Sequence, residues 1–334
     1  MESLRIYWYN KIRDFPVMLF AIVMGLTGYS LVIQKLATIV YIPVGTQDFF
    51  AYLAFGVYLL ISFLYLNKIN LHPKDFYKEV SNPNHIGLIA IASVATTLIA
   101  TTLFRYSESL SLMVWGIGAI VQIALMVRIV TLWISHQNDT RIRTDPSWFI
   151  PAVGCLAIPI VGVKLAPPEI SWFFFSVGIL FWLVMMPIYF YRNIYHHALD
   201  EKLTPTLFIL MAPPSVGTIA WYSLTGEVDA FARILYSISL FLFLVAVMQY
   251  KLYINMKSFH LSWWSFSFPL ATSILATFTM AEALDSYFLV VLGSIKTVVL
   301  SLVIILLVWK TVQCIVKKTT VRKNNDFNTQ PKQI

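Results

Sequence analysis

The stretch YFLVVLGSIKTVVLSLVIILLVW occupies residues 287–309 and contains a single charged side chain, Lys296. An α-helix rises about 1.5 Å per residue, so a run of this length can cross the roughly 30 Å hydrocarbon core of a bilayer. Other apolar stretches precede it, separated by short polar loops. The sequence therefore predicts ten transmembrane helices, here called spans one to ten, at residues 15–36, 49–66, 85–104, 110–133, 148–163, 170–191, 206–224, 231–250, 261–281 and 287–309.

The overall composition agrees with this prediction. Of the 334 residues, 58% are hydrophobic and only 12% are charged. A soluble domain has about 25% charged residues, so this chain has too few charges to cover a water-facing surface of its size. The composition excludes a soluble enzyme, a disordered protein and a nucleic-acid binder, and it favours an all-α integral membrane protein.

The sequence lacks the motifs that would indicate an enzyme or a nucleotide-driven pump. It contains no GxxxxGK[ST] phosphate loop and no HExxH pair of metal ligands. The six histidines fall at predicted cytoplasmic ends or loops, and Cys155 and Cys314 lie far apart in apolar segments. We therefore expect no catalytic residues, no metal and no cofactor.

The distribution of lysine and arginine predicts the orientation of the chain in the membrane. An even number of spans places both termini on one side. If that side is the cytoplasm, the inner segments hold 19 of the 24 basic residues, which follows the positive-inside rule. We expect a cytoplasmic segment at residues 1–14, a transmembrane domain at 15–316 and a disordered cytoplasmic tail at 317–334. The sequon Asn138-Asp139-Thr140 then lies in an inner loop and is read as a chance match.

Proline and small residues concentrate in the odd-numbered spans. Spans five, seven and nine contain Pro151, Pro159, Pro213, Pro214 and Pro269. Proline inside a helix removes a hydrogen bond and bends the helix, while small residues allow close approach or leave room for a narrow lumen. This pattern favours bent odd-numbered helices around a shared axis. Ordinary helix packing and the general enrichment of proline in membrane helices are the alternatives.

Lys296 is the charged residue that lies deepest in a predicted span. A charge inside a membrane is costly and is usually functional. Its side chain could pair with a carboxylate, extend towards the membrane surface or face a polar cavity. The cores of the odd-numbered spans contain no Asp, Glu, Lys, Arg or His, whereas a proton-coupled carrier usually needs an ionisable relay there.

Several short motifs resemble, in order and spacing, those of the tellurite-resistance/dicarboxylate transporter family, which includes bacterial TehA and the slow anion channels of plant guard cells. The resemblance extends over about residues 15–315, and each motif is weak alone. The motifs are FAIVMG at residues 20–25, DPSWFIPAV at 145–153, MAPP at 211–214, GEVD at 226–229 and WSFSFP at 264–269.

The resemblance implies a specific architecture. Five helical hairpins would surround a quasi-fivefold axis, with the odd-numbered helices lining a central pore and the even-numbered helices forming an outer ring. The protein would be a homotrimer in which each subunit has its own pore.

The resemblance also implies the site residues. Phe268, the second Phe of the W-x-F-S-F motif, would close the pore, and Ala21 would face this gate by alignment on Gly25. The other expected gate-facing and pore-lining residues are Gly25, Pro151, Pro213, Phe266 and Pro269. The sequence departs from the family pattern at two of these positions, since glycine is common in place of Ala21 and TehA-like members have glycine in place of Pro269.

A phenyl ring across a narrow pore forms a hydrophobic constriction, which gates by excluding water. With the resemblance, this predicts a gated channel for small monovalent anions such as nitrate and chloride, in a bacterial inner membrane. The alternative is a secondary exporter of oxyanions such as tellurite or sulfite, or of C4-dicarboxylates. A scaffold or sensor with a vestigial pore is a third possibility. The expected partners are lipid, small anions and two further copies of the chain, and no nucleic acid.

Overall fold

The computed structural model of the protein describes residues 9, 11–82, 86–135, 145–195, 201–254, 256 and 258–328. Within these ranges the chain is helical and contains no β-strand. The sequon at residues 138–140, His136 and the pair His196-His197 lie outside them, as does the start of the segment 1–14.

Thirteen α-helices occur in the described part of the chain. They are α1 (Phe20–Leu36), α2 (Val44–Leu71), α3 (Pro73–Ser81), α4 (Ile86–Leu103), α5 (Glu108–Ser135), α6 (Ile150–Ala157), α7 (Pro159–Leu165), α8 (Pro168–Tyr195), α9 (Ala212–Thr225), α10 (Ala230–Met248), α11 (Tyr250–Ile254), α12 (Ser267–Ala283) and α13 (Tyr287–Asn328). Four 3-10 segments precede inner helices, at Val17–Leu19, Pro146–Phe149, Glu201–Met211 and Leu261–Phe266.

Burial divides the long helices into two groups. In the segments Val17–Leu36, Ile86–Leu103, Pro146–Leu165 and Leu203–Thr225, between 72% and 83% of the residues in the most apolar part are buried. In α2, α5, α8, α10 and α13 the corresponding share is only 22–33%. Nearly all residues of α12 are buried as well. We therefore call α1, α4, α6–α7, α9 and α12 the inner helices, and the five less buried ones the outer helices.

The inner helices contact one another in sequence. Helix α1 packs against α4, α4 against α6, α6 against α9, and α9 against α12. Helix α12 in turn packs against α1, so the contacts return to the first helix. Each inner helix also packs against the outer helix that follows it in the chain. The outer helices expose many large apolar side chains on their other faces, as expected for surfaces that contact lipid or other subunits.

The prolines of the inner helices lie mainly at helix starts, which corrects the expectation that they bend the helices. Pro151, Pro213 and Pro269 each lie in the first turn of an α-helix that follows a 3-10 segment. A proline in the first turn costs no intrahelical hydrogen bond, because its missing N–H would have no partner there. Only span five is interrupted, at Ile158, where Pro159 begins α7 and the Trp115 indole donates to the Ile158 carbonyl oxygen at 3.0 Å.

Nine helical segments of the described chain are long and apolar enough to cross a membrane, one fewer than the ten expected. The stretch predicted as span nine consists of the 3-10 segment Leu261–Phe266 followed by α12, which has 17 residues. A 17-residue α-helix is only about 25 Å long, so α12 needs the preceding 3-10 turns to approach the thickness of a bilayer. Helix α13 continues to Asn328, into the segment predicted as a disordered tail.

Polar contacts tie the helices together at both ends. Lys35 at the end of α1 pairs with Glu282 at the end of α12. At the opposite end the buried Lys68 ammonium pairs with Glu79 and donates to the Phe15 carbonyl oxygen at 2.8 Å. In the turn after α4, partial burial and a hydrogen bond to Asp48 raise the pKa of Tyr106 to about 12.

Candidate functional site

A small cavity of about 30 Å³ lies among the inner helices. By this measure a water molecule needs at least about 10–15 Å³, so the cavity has room for about two. Its wall is formed by side chains from all five inner helices or the 3-10 segments before them. The lining residues are Ala21, Met24, Ile91, Ile150, Val153, Ile209, Ala212, Trp264, Ser265, Phe268 and Pro269.

The lining residues come from the N-terminal parts of their helices. Ala21 is the second residue of α1, Ile150 the first of α6, Ala212 the first of α9 and Phe268 the second of α12. Ile91 lies in the second turn of α4. The cavity therefore lies beside the N-terminal parts of all five inner helices, which run in the same direction because an outer helix lies between each inner helix and the next.

Phe268 is the largest side chain that α12 contributes to the cavity wall. Its side chain is 4% exposed, and Ala21 and Pro269 line the same cavity. Across the interface with α1, a Cβ atom built on Gly28 would lie 3.8 Å from the Phe268 ring. Three of the residues expected at a gate are thus brought together, with the phenyl ring between α1 and the interior of the bundle.

Gly25 does not line the cavity but holds α1 close to the start of α12. A Cβ atom at this position would lie 2.3 Å from the Ser267 Oγ atom and 3.0 Å from the Trp264 ring. Only glycine therefore permits this approach. The Ser267 hydroxyl donates to the Trp264 carbonyl oxygen at 2.6 Å, which fixes the side chain that Gly25 meets.

Pro151 and Pro213 are buried near the cavity but outside its lining. The Pro151 carbonyl oxygen accepts a hydrogen bond of 2.7 Å from the Gln122 side chain of α5, which also contacts the Ser93 hydroxyl of α4. Gln122 lies directly over Gly154, whose missing side chain makes room for the amide. The glycine in span five thus accommodates a buried polar link between three helices rather than a lumen.

Phe266 also lies outside the cavity lining. Its ring is 4.9 Å from the Phe208 ring and 5.2 Å from the Tyr253 ring, measured between centroids. Since residues two positions apart on a helix differ by about 200° in direction, Phe266 and Phe268 face different sides of the helix. The expected pore-lining position at Phe266 is instead part of an aromatic cluster between the 3-10 segments and α11.

Lys296 lies on α13, with 2% of its side chain exposed. Its ammonium donates to the Ser273 hydroxyl at 2.6 Å, the Ser273 carbonyl oxygen at 3.2 Å and the Thr277 hydroxyl at 3.1 Å. It also lies 4.8 Å from the centre of the Phe243 ring. No carboxylate is among the contacts that the described residues make with it. The expectation of a pairing with a carboxylate is therefore not met.

The two acidic motif residues at the starts of helices have clear structural roles. Asp145 accepts a hydrogen bond from the backbone N–H of Ser147 at 2.7 Å and caps the 3-10 turn. Asp229 caps α10 through the backbone N–H of Ala232 and also accepts from the Trp221 indole, both at 2.9 Å. Side-chain caps of this kind satisfy N–H groups that the helix itself leaves free.

The electrostatic character of the cavity comes from the backbone rather than from charged side chains. Its lining residues are apolar apart from Ser265 and the Trp264 indole. The N-terminal end of a helix carries a partial positive charge of roughly half a unit, and the lining residues lie near that end of each inner helix. In the part of the chain that the structure describes, no cluster of His, Cys, Asp or Glu could hold a metal ion.

Sequence reasoning missed most of the aliphatic lining, including Met24, Ile91 and Val153. Met24 and Val153 could have been found, because they stand in the FAIVMG and DPSWFIPAV motifs, whereas Ile91 lies in an apolar helix where no local pattern separates a lining position from a core position. Trp264 could have been found, because it stands in the WSFSFP motif. Its indole donates to the Thr311 hydroxyl of α13 at 3.0 Å, which anchors the start of α12.

An all-helical bundle with several membrane-length apolar segments and a cavity among its inner helices is typical of an integral membrane protein of the channel or transporter class. The SLAC1 family model, described as voltage-dependent anion channel, matches residues 14–312. This match covers most of the chain, and the chain belongs to this family. The membership predicted from the short motifs is thereby confirmed.

Individual relatives carry the names of channels and transporters. The chain is 23% identical to the S-type anion channel SLAH3 of Arabidopsis thaliana over 305 residues, 89% of this chain and 48% of that protein. It is 26% identical to the guard cell S-type anion channel SLAC1 of the same plant over 236 residues, 69% of this chain and 42% of that protein. An uncharacterized transporter of Methanocaldococcus jannaschii is 26% identical over 294 residues, 80% of this chain and 85% of that protein. The chain thus spans about half the length of the plant relatives, and its relatives are named as channels and transporters rather than as enzymes.

Proposed function

We propose that the protein is a gated channel for small monovalent anions, with nitrate and chloride as its main ions. In this proposal the five inner helices surround a conduction path and, together with the outer helices, form ten spans in five hairpins. The observation that carries the proposal is the cavity that is lined by the N-terminal parts of all five inner helices or the 3-10 segments before them. A shared cavity on the axis of a helix ring is the expected position of a closed conduction path.

Phe268 is the gate in this proposal. Its ring lies in the cavity wall beside Ala21, and the cavity holds about two water molecules rather than a continuous column. An ion that loses its water inside a membrane without new ligands pays several kcal/mol. The path is therefore closed as long as the phenyl ring occupies it, and displacement of the ring would restore a wet path.

The preference for anions follows from the backbone. Five helix N-termini favour negative charge at the cavity, and no lining residue is acidic. A cation would meet the positive ends of the dipoles without a carboxylate to bind it. Weakly hydrated anions such as nitrate should pass best, because the apolar wall offers little replacement for lost water.

The membrane arrangement completes the proposal. The positive-inside rule places the N-termini of the inner helices, and hence the cavity, towards the cytoplasm. The exposed apolar faces of the outer helices would contact lipid and two further subunits in a homotrimer. The proposed location is a bacterial inner membrane with both termini in the cytoplasm.

The test compares the wild type, Phe268→Ala and Phe266→Ala as purified full-length proteins in planar bilayers under nitrate and chloride gradients. We expect a small wild-type current and a large anion-selective current from Phe268→Ala. Phe266→Ala removes the same ring from a residue two positions away that lies outside the cavity, so its current should stay at the wild-type level. Equal currents in the two variants, or reversal potentials that show cation permeability, would contradict the proposal.

A secondary exporter of oxyanions or C4-dicarboxylates is the second candidate, supported by the archaeal relative that is named a transporter. A carrier would give saturable uptake of radiolabelled sulfite or dicarboxylate into liposomes, coupled to a second ion. Uptake of this kind, with no current from Phe268→Ala, would favour the exporter. A channel would show no saturation of flux over the same range of substrate concentrations. Its current would rise strongly when Phe268→Ala removes the ring.

A further inference from the structure

The buried ammonium of Lys296 lies against the back of the helix that carries Phe268. Its three acceptor atoms belong to Ser273 and Thr277 of α12, while the Phe243 ring of α10 covers it from another side. Ser273 and Thr277 follow Phe268 by five and nine residues. At 3.6 residues per turn, they lie about 140° and 180° around the helix from Phe268. The positive charge is thus about one helix diameter, roughly 10 Å, from the path.

The contacts fit the charged form of the side chain. A lysine ammonium has three hydrogens to donate and no capacity to accept, and three oxygen atoms lie within 2.6–3.2 Å of it. The Thr277 hydroxyl can serve as an acceptor because it donates its own hydrogen to the Ser273 carbonyl oxygen at 2.7 Å. The aromatic face adds a further favourable interaction with a cation.

The described residues accept hydrogen bonds from the Lys296 ammonium, but none of those that contact it is acidic. The three helices that contact the ammonium are α10, α12 and α13. The acidic residue at the end of α12, Glu282, pairs with Lys35, and the nearby phenol of Tyr236 donates to the Thr277 hydroxyl at 3.4 Å. A salt bridge would act on the path as a weak dipole. An ammonium with neutral ligands acts on it as an unpaired positive charge.

The Lys296 ammonium and the cavity lie at different positions along the axis of α12. Ser273 and Thr277 lie about 7 and 13 Å beyond Phe268 in the direction of the C-terminus of α12. The helix N-termini act on the near side of the ring, and the ammonium acts on the far side. We propose that Lys296 is a specificity-determining residue, whose charge keeps the path selective for anions beyond the gate. This inference rests on the proposed channel function.

The test uses full-length Phe268→Ala as the open parent, with each further substitution added to it, and measures the chloride-to-sodium permeability ratio from reversal potentials. Lys296→Gln removes the charge but keeps a side chain that can donate to Ser273 and Thr277. Lys296→Arg keeps the charge, and Lys296→Met removes both charge and donors. Lys310→Gln is the matched control on the same helix, about 21 Å further along.

A unit charge about 10 Å from the path, at an effective dielectric constant of about 20, corresponds to a change of roughly tenfold or more in ion occupancy. We therefore expect the permeability ratio to fall at least about tenfold in Lys296→Gln and Lys296→Met, and to stay at the parent value in Lys296→Arg and Lys310→Gln. If Lys296 only held the helices together, Lys296→Gln would keep the chloride-to-sodium permeability ratio of the parent.

The outcomes separate the two proposals. An anion-selective parent with an unchanged ratio in Lys296→Gln would overturn the role of Lys296 and leave the channel standing. A parent without current would overturn the channel and this inference with it. If Lys296→Met does not fold, Lys296→Gln, whose amide keeps two N–H donors, still decides the question.

Discussion

The substitution Gly25→Ala tests the close contact between the first inner helix, α1, and α12. The added Cβ atom would lie 2.3 Å from the Ser267 Oγ atom, 2.9 Å from the Ser267 Cβ atom and 3.0 Å from the Trp264 ring. The hydroxyl could rotate away only by losing its 2.6 Å bond to the Trp264 carbonyl oxygen. The Ser267 Cβ atom belongs to the helix frame and cannot rotate, so α1 and α12 must separate.

The expected magnitude follows from two opposing effects. Overpacking of a tight interface costs about 1–3 kcal/mol, while glycine to alanine in a helix gains about 0.5–1 kcal/mol. The net destabilisation should be about 1–2 kcal/mol. Gly56→Ala on α2 is the matched control, because a Cβ atom there meets nothing within 4 Å. This control variant should be slightly more stable than the wild type, because only the gain from glycine to alanine in a helix applies to it.

The assay is thermal unfolding of the purified proteins in detergent, followed by tryptophan fluorescence. Gly25→Ala should unfold a few degrees below the wild type and Gly56→Ala at or slightly above it. Ser267→Gly removes both clashing atoms, so the double variant Gly25→Ala/Ser267→Gly should show a favourable coupling between the two sites. Equal midpoints for Gly25→Ala and Gly56→Ala, or strictly additive effects, would refute the close approach on which the geometry of the gate depends.

Two further substitutions test the polar contacts that hold the helices in place. Asp229→Ala removes the cap on the Ala232 N–H and the partner of the Trp221 indole, and should cost about 1 kcal/mol in thermal unfolding, whereas Asp229→Asn should retain most of the stability. Gln122→Leu leaves the Pro151 carbonyl oxygen without its buried donor and should cost roughly 1–3 kcal/mol, with a wild-type midpoint as the contradicting result.

The sequence predicted that the fold spans a membrane, because each span can be recognised from its own residues alone. Each span needs about 20 apolar residues, and hydropathy can be read locally. The close approach of α1 to α12 could also be read from the sequence, since the small residues Gly25 and Gly28 of span one lie at this contact. The effect of the prolines was misread, because sequence alone does not show where a 3-10 segment ends and an α-helix begins.

The candidate site could be predicted only where the motif resemblance supplied it. Phe268 and Ala21 lie in the cavity wall, yet Phe266, two residues from Phe268, lies in an aromatic cluster. The direction of a side chain depends on the turn geometry at the start of α12, which a six-residue motif does not encode. The partners of Lys296 could not be predicted either, because Ser273 and Thr277 lie 23 and 19 residues away on another helix.

The placement of the cavity at the starts of the inner helices gives a physical reason for a neutral lining. A fixed lysine or arginine beside the ring would bind an anion tightly, and tight binding slows its exit. Backbone dipoles at helix N-termini attract anions more weakly and need no charged side chain on the path. If Lys296 contributes as proposed, it does so across the width of α12, where its hydrogen bonds to Ser273 and Thr277 keep it from becoming a ligand. Attraction without direct ligation is the arrangement that allows an anion both to enter the path and to leave it.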